Sequence, residues 1–225
     1  SVPKASIRNL GELYLNGSYE EAEVLALSLI EKFPDNVKLY QILGSTLKKS
    51  GRLNDALDAN RKTVSLFPDS AEAHNNMGNT LRELNKIEEA IESYRKAILL
   101  KPTLSEAHLG MGLSLVKLKK DEEAALSFTE TLSLNPDSAL ALYNLGNISM
   151  KLGNMYEAEE SYKKAIKLKP RYADAYTNLG IIYAKLGKKS DAEANFKKVV
   201  ELQPKFALAF NNLGNFLKGE RRYYE

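Results

Sequence analysis

The feature of this sequence that most limits its fold is a repeat of 34 residues. Glycine, alanine and proline each return at that spacing, and no insertion interrupts them. The three series are Gly44, Gly78, Gly112, Gly146, Gly180 and Gly214; Ala22, Ala56, Ala90, Ala124, Ala158 and Ala192; and Pro34, Pro68, Pro102, Pro136, Pro170 and Pro204. Three residue types with one common period indicate a tandem array of a single structural unit.

Each unit is predicted to be a pair of antiparallel α-helices. In residues 139–172, apolar residues recur at helical spacing in two runs that Gly153 and Asn154 separate. Glycine takes the positive φ that a tight connection between helices often needs. Pro170 ends the second run, because it disfavours helical geometry in the preceding residue and cannot donate a backbone hydrogen bond. The sequence therefore predicts an all-α chain.

Together these features resemble the tetratricopeptide repeat. The small residues, the closing proline and an aromatic residue in the second helix (Tyr94, Phe128, Tyr162 and Phe196) match the pattern of that family, although the chain has no tryptophan. The resemblance implies a right-handed superhelix of about six full repeats and a partial seventh. The expected single array covers residues 1–225, with repeats at 3–36, 37–70, 71–104, 105–138, 139–172 and 173–206 and a partial repeat at 207–225.

Both ends of the array depart from this pattern. The first unit has Leu10 where the others have glycine, and Ala26 and Asn60 stand where later units have an aromatic residue. Residues 219–225 read as a turn and the beginning of a second helix. We expect either a fragment of a longer protein or a first helix that acts as a cap. An uncovered partial repeat would also allow homo-oligomerisation.

The resemblance implies that the first helices line a concave groove, in which a partner peptide lies. Asparagine recurs at two groove positions: Asn76, Asn79, Asn144, Asn147, Asn178, Asn212 and Asn215. A primary amide offers one acceptor and two donors, so a row of them can bind the main chain of an extended peptide. The row resembles the asparagine ladder of O-linked N-acetylglucosamine transferases. In the alternative, these side chains bond to the protein's own backbone or to a neighbouring helix.

Apolar residues interrupt this row in the fourth unit. Leu109, Leu113 and Val116 replace polar groove residues there, and Tyr143 and Ile181 continue the apolar character into the next two units. We predict a shallow pocket for one hydrophobic or aromatic side chain. Burial of such a side chain contributes roughly 1.5–3 kcal/mol. The alternative is a locally repacked groove that binds nothing.

Composition argues against several other functions. The net charge is +3 and is spread along the chain, and most aromatic residues occupy packing positions, so nucleic-acid binding is not expected. The chain has no cysteine and only two histidines, His74 and His108, at equivalent packing sites. We predict no metal, no cofactor and no catalytic residue. No apolar run suits a membrane span, so we expect no membrane association and a cytoplasmic location.

The predicted function is a protein-interaction scaffold that binds an extended peptide or protein segment in its groove. Two alternatives remain open at this point. The array could be the substrate-recognition region of a larger enzyme, such as a glycosyltransferase, or it could be a homo-oligomerising module.

Overall fold

A computed structural model describes residues 2–205 and 207–219, which fold into thirteen α-helices without a β-strand. The all-α prediction is therefore confirmed. The predicted helix start after residue 219 lies outside the described residues. The helices are α1 (Lys4–Leu15), α2 (Tyr19–Lys32), α3 (Val37–Lys49), α4 (Leu53–Leu66), α5 (Ala71–Glu83), α6 (Ile87–Leu100), α7 (Ser105–Lys117), α8 (Asp121–Leu134), α9 (Ala139–Lys151), α10 (Met155–Leu168), α11 (Ala173–Lys185), α12 (Lys189–Leu202) and α13 (Ala207–Gly219).

The chain divides into two compact units, residues 1–127 and 128–225. In the first unit, each helix from α1 to α7 packs against the next, and α5 also contacts α3 and α7. In the second unit, α9 to α13 pack in the same consecutive way. Odd-numbered helices begin each pair and are called first helices here, and the surface that they present within one unit is called its first-helix face. Even-numbered helices are called second helices.

The turn within each pair needs one residue with left-handed backbone geometry. Glycine supplies it in four pairs, and Gly153 does so with a φ of +84°. Asn85 and Lys119 take φ values of +60° and +59° at the equivalent positions of the third and fourth pairs. A residue with a side chain adopts this geometry only with steric strain, which is why glycine predominates here.

The recurring glycine of the first helix makes room for an aromatic ring of the second helix. A Cβ atom added to Gly146 would lie 2.7 Å from Cε1 of Tyr162, and one added to Gly78 would lie 2.8 Å from Cε1 of Tyr94. Both tyrosine side chains are fully buried. Tyr94 also lies against Gly110 of the following first helix, where an added Cβ would come within 2.5 Å of the ring. One ring therefore fixes the spacing of three helices, α5, α6 and α7.

One buried carboxylate joins the last two complete pairs in the second unit. Glu159 of α10 is 9% exposed and accepts hydrogen bonds from Lys163 Nζ at 2.6 Å, Tyr183 Oη at 3.1 Å and Lys188 Nζ at 3.3 Å. The hydrogen bond from Lys163 is the main cause that holds the pKa of Glu159 below its usual range. Both ammonium groups also lie over the Tyr183 ring, at 5.7 and 5.2 Å from its centroid.

We predict that Gly146→Ala lowers the free energy of unfolding by about 1–3 kcal/mol, because the added methyl group overlaps the Tyr162 ring. Urea unfolding followed by circular dichroism measures the effect. The matched control is Gly214→Ala on α13, where an added Cβ meets no atom within 4 Å. This control should be stabilising by up to about 1 kcal/mol, the ordinary gain of alanine over glycine in a helix. Equal effects of the two substitutions would contradict the role given to the ring.

Candidate functional site

On the first-helix face of the first unit, Asn79 is held by a tyrosine of the second helix. The hydroxyl of Tyr94 donates to Asn79 Oδ1 at 2.8 Å and accepts from Arg82 Nε at 3.3 Å. The ring of Tyr94 is buried between α5 and α7, so only its hydroxyl reaches this face. The side-chain orientation of Asn79 is therefore set by the core and not by solvent.

The second unit repeats this arrangement with an asparagine in place of arginine. Tyr162 Oη donates to Asn147 Oδ1 at 2.7 Å, and Asn178 Nδ2 donates both to Asn147 Oδ1 at 2.9 Å and to Tyr162 Oη at 3.2 Å. The three side chains come from α9, α10 and α11. This triad brings together two of the predicted asparagines and joins two successive first helices.

The residue on the first-helix face is matched to the residue that lies 15 positions later in the second helix. Tyrosine accompanies asparagine, and phenylalanine accompanies an apolar residue. The pairs are Gly11 and Ala26, Ser45 and Asn60, Asn79 and Tyr94, Leu113 and Phe128, Asn147 and Tyr162, and Ile181 and Phe196. A buried phenol hydroxyl needs a hydrogen-bond partner and a phenyl ring does not, which explains the matching. The signal is present in the sequence, but only in the pairing of two positions and not in either position alone.

The internal hydrogen bonds leave specific amide atoms for a ligand. Asn79 and Asn147 use Oδ1 to accept from the tyrosine, and their Nδ2 groups have no partner among the described residues. Asn178 is the reverse case, because its Nδ2 is engaged while its Oδ1 is not. Asn144 is buried and donates Nδ2 to the Leu140 carbonyl oxygen at 2.8 Å. The predicted stripe is therefore not uniform, and each asparagine presents a different atom.

The remaining asparagines of the stripe lack side-chain hydrogen bonds within the described part of the chain. Asn76 on α5 and Asn212 on α13 are half-buried, whereas Asn215 is exposed. The backbone carbonyl of Asn76 accepts hydrogen bonds from Thr80 Oγ1 at 3.1 Å and Asn60 Nδ2 at 3.4 Å. These contacts fix the main chain of Asn76 and leave its side-chain amide available.

The predicted apolar pocket involves residues of both units. Leu109, Leu113 and Val116 are half-buried on α7 in the first unit. In the second unit, the Tyr143 ring lies 5.8 Å from that of Tyr162 and 4.8 Å from that of Tyr172, measured between centroids. Tyr143 is thus half-buried and part of an aromatic cluster.

Ile181 also packs against the buried cluster of the second unit that contains Tyr162 and Phe196. The pocket that would combine Tyr143 and Ile181 with the residues of α7 stays a prediction. The same holds for self-association through residues 207–225, of which 220–225 lie outside the described part of the chain.

The structure places a cavity elsewhere on the first-helix face of the first unit. It has a volume of about 300 Å³ and is lined by residues of three first helices: Gly11 and Tyr14 of α1, Gln41, Ile42 and Ser45 of α3, and Asn76 of α5. Only Asn76 of this set was among the predicted site residues. One residue in the sequence indicates this cavity. Gly11 has no side chain at a position where later repeats carry serine, asparagine, leucine or isoleucine.

Neither histidine lies in an arrangement that suits catalysis or metal binding. His74 and His108 are buried, and their Nε2 atoms lie 2.9 Å from the carbonyl oxygens of Pro68 and Pro102. Within residues 2–205 and 207–219, no group of three or more histidine, cysteine, aspartate or glutamate side chains could hold a metal ion. Over the same residues, no helix has the length and apolar character needed to cross a bilayer.

Burial raises the pKa of the tyrosines that support this face. Desolvation is the largest cause for Tyr94 and Tyr162, and it also raises the pKa of Tyr172 to about 12. A group whose pKa is raised on folding stabilises the fold fully below its unfolded pKa, which is about 10 for tyrosine. That stabilisation is lost as the pH rises towards the folded value.

We predict that Tyr162→Phe reduces stability at about pH 8 by roughly 1 kcal/mol, because Asn147 and Asn178 lose a shared partner. Between pH 10 and pH 11 the wild type should lose about 1 kcal/mol more stability than this variant, because tyrosine ionises there in the unfolded chain but not in the fold. Urea unfolding at pH 8, pH 10 and pH 11 measures both effects. A stability difference that does not change with pH would show that the hydroxyl of Tyr162 is not held neutral by the fold.

Comparison with known proteins agrees with these helix pairs. A family model described as TPR repeat matches residues 146–187, and a model described as Tetratricopeptide repeat matches residues 71–104 and 173–206. The last two ranges coincide with two of the predicted repeats. No curated protein matches the chain.

Several solved structures share the fold. MamA is 28% identical, covers 72% of this chain and 95% of its own, and has a TM-score of 0.66. YrrB, described as a TPR protein with an unusual peptide-binding site, is 24% identical over 83% of this chain and 96% of its own, with a TM-score of 0.66. A tetratricopeptide repeat protein from Parabacteroides merdae is 22% identical over 97% of this chain and 87% of its own, with a TM-score of 0.72.

Tetratricopeptide repeats are generally non-catalytic scaffolds for protein interactions. The family matches confirm the predicted type of repeat, whereas the likeness to the asparagine ladder of glycosyltransferases stays a prediction. The chain is thus an all-α solenoid of helix pairs, in which residues 71–104, 146–187 and 173–206 match tetratricopeptide repeat models.

Proposed function

We propose that this protein binds an extended polypeptide segment along its first-helix faces, with asparagine amides as hydrogen-bond donors to the main chain of the ligand. The donors are the Nδ2 groups of Asn79 and Asn147. An extended segment suits these donors because its main-chain carbonyl groups are free to accept, whereas those of a helix or sheet are already used.

The observation that supports this function is the fixed orientation of the two asparagines. Each Oδ1 accepts a short hydrogen bond from a buried tyrosine hydroxyl, at 2.8 Å for Asn79 and 2.7 Å for Asn147. The amide plane is therefore set before a ligand arrives, and Nδ2 is left for the ligand. Such preorganisation reduces the side-chain entropy that binding would otherwise cost, which is about 0.5–1.5 kcal/mol for a mobile side chain.

The other predicted positions take supporting roles in this proposal. Asn178 offers its Oδ1 as an acceptor for a ligand amide, and Asn76, Asn212 and Asn215 offer whole amide groups. Asn144 contributes little, because Leu140 already binds its Nδ2. Side chains of the ligand contact apolar residues of each unit, namely Leu109, Leu113 and Val116 in the first and Tyr143 and Ile181 in the second.

The likeness to YrrB does not carry this proposal. That protein is described as peptide-binding, but at 24% identity the likeness shows the fold alone. Binding through these donors should depend only modestly on salt, because they are neutral amides and ionic screening acts on charges.

The test removes the donors and keeps the internal hydrogen bonds. In Asn79→Asp with Asn147→Asp, a carboxylate oxygen still accepts from each tyrosine, but no N–H remains for the ligand. Peptides are first selected from a displayed random library on the wild-type chain. We expect the double variant to bind them at least about tenfold more weakly, because each lost donor leaves a ligand carbonyl unpaired, at about 1–3 kcal/mol.

The matched control is Asn54→Asp, on the exposed side of the second helix α4. It changes the same chemical group, and its affinity for the selected peptides should equal that of the wild type. Circular dichroism and the urea midpoint establish that all three proteins fold alike. Unchanged affinity in the double variant would rule out the asparagines as peptide donors, as would the selection of no peptide at all.

A further inference from the structure

We propose that the cavity between α1, α3 and α5 is a subsite that accepts one uncharged apolar side chain of the bound segment. This inference rests on the proposed function, because it names the kind of ligand residue that the first-helix face selects. The cavity of about 300 Å³ lies wholly within the first unit, and its lining comes from three first helices. It is distinct from the apolar pocket that the sequence predicted around Leu109, Leu113 and Val116 of the fourth repeat.

The cavity exists because the first helix pair is built differently from the later pairs. Leu10 and Ala26 occupy the positions that hold glycine and an aromatic ring in the third and fifth pairs, and both are fully buried. Leu10 of α1 fills the core of this pair. Ala26 of α2 provides no ring that would extend towards the first-helix face. Gly11, on the face itself, adds no side chain. A Cβ atom built on Gly11 meets no atom within 4 Å, so the space above it is open.

The walls of the cavity select for an apolar and uncharged group. Ile42 packs against the buried cluster of the first two pairs. Four other first helices carry asparagine at the equivalent position, namely Asn76, Asn144, Asn178 and Asn212. The Tyr14 ring provides a second wall and is positioned by an edge contact with Tyr19, at 6.2 Å between centroids. No charged residue is among those that line the cavity. A charged side chain would lose hydration there without an ion-pair partner, which is strongly unfavourable.

The polar residues that line the cavity suit the main chain on either side of that apolar group. Gln41 donates Nε2 to Ser70 Oγ at 3.2 Å, which leaves its Oε1 as an acceptor. Ser45 and Asn76 add a hydroxyl and an amide without side-chain partners in the described part of the chain. One apolar side chain flanked by two amide groups is therefore the ligand chemistry that the cavity fits.

Amino acids capped at both ends contain one side chain flanked by two amide groups. They therefore test the cavity without any assumption about the partner. The probes are the N-acetyl, N-methylamide derivatives of leucine and phenylalanine, with those of lysine, glutamate and glycine for comparison. Binding to the full chain is followed by chemical-shift changes of backbone amides in nuclear magnetic resonance spectra. We expect the leucine or phenylalanine probe to shift the resonances of Tyr14, Ile42, Ser45 and Asn76, and to bind at least about tenfold more tightly than the other three.

The decisive variant is Gly11→Leu, which fills the cavity from the helix that lines it. A Cβ atom at position 11 meets no protein atom within 4 Å, and a helix gains stability when glycine is replaced. We expect the leucine and phenylalanine probes to bind Gly11→Leu at least about tenfold more weakly, with stability maintained. Gly214→Leu makes the same change on α13 and should bind the probes as the wild type does. A second variant, Ile42→Asn, should also weaken probe binding.

Probe binding that survives Gly11→Leu, or equal binding of the lysine and leucine probes, would overturn the subsite. These outcomes are separable from failure of the proposed function. The double aspartate variant at positions 79 and 147 retains the cavity and should bind the capped amino acids normally. If the wild type binds the probes but no peptide depends on Asn79 and Asn147, the proposed function fails while the subsite stands.

Discussion

The contact on which the rest of this structure depends is that of a tyrosine ring with the glycine of a first helix. Tyr94 contacts Gly78 and Gly110, and Tyr162 contacts Gly146, at distances that leave no room for a Cβ atom. A buried ring contributes roughly 1.5–3 kcal/mol, and here it does so at the point where neighbouring helices meet. Glycine thus recurs every 34 residues because a residue packed this closely against a ring has no room for a Cβ atom.

This packing contact also determines the chemistry of the first-helix face. A tyrosine that is buried against glycine still needs a partner for its hydroxyl, since an unpaired buried hydroxyl costs about 1–3 kcal/mol. Asn79 and Asn147 are those partners. Their Oδ1 atoms accept from the buried tyrosines, and their Nδ2 groups have no partner among the described residues. Where the ring is phenylalanine, as at Phe196, the matched residue is the apolar Ile181 and no amide is presented.

Much of the fold could be predicted from the sequence, because the same pattern of helices and turns recurs in each repeat. A helix boundary that is unclear in one repeat is clear in another. The helix pairs, the turn at Gly153 and the burial of His74 all follow from the period, and the structure confirms them. The individual asparagines could not be told apart in this way. Position alone does not reveal which amide atom is engaged, since that depends on a hydroxyl 15 residues away.

Two further features lay beyond sequence reasoning for different physical reasons. Glu159 is a buried carboxylate at a position that holds Leu57 in the second pair, so an apolar pattern could not reveal it. Its burial depends on Lys163, one turn further along α10, and on Lys188, in the turn before α12. The cavity beside Gly11 arises from side chains that are missing and not from residues that are present. A pattern of residue types indicates which side chains are buried, but it does not readily indicate a cavity between them.

An uneven first-helix face has a consequence for recognition that a uniform one would not have. Amides that bind only the main chain let an extended segment slide by two residues without loss, because an extended chain presents equivalent groups at that spacing. A single acceptor for an apolar side chain removes this freedom, because only one register places that side chain in the cavity. Under the proposed function, the asparagines would supply affinity for any extended segment. The cavity next to Ile42 would then fix which residue of the segment lies at the N-terminal end of the face.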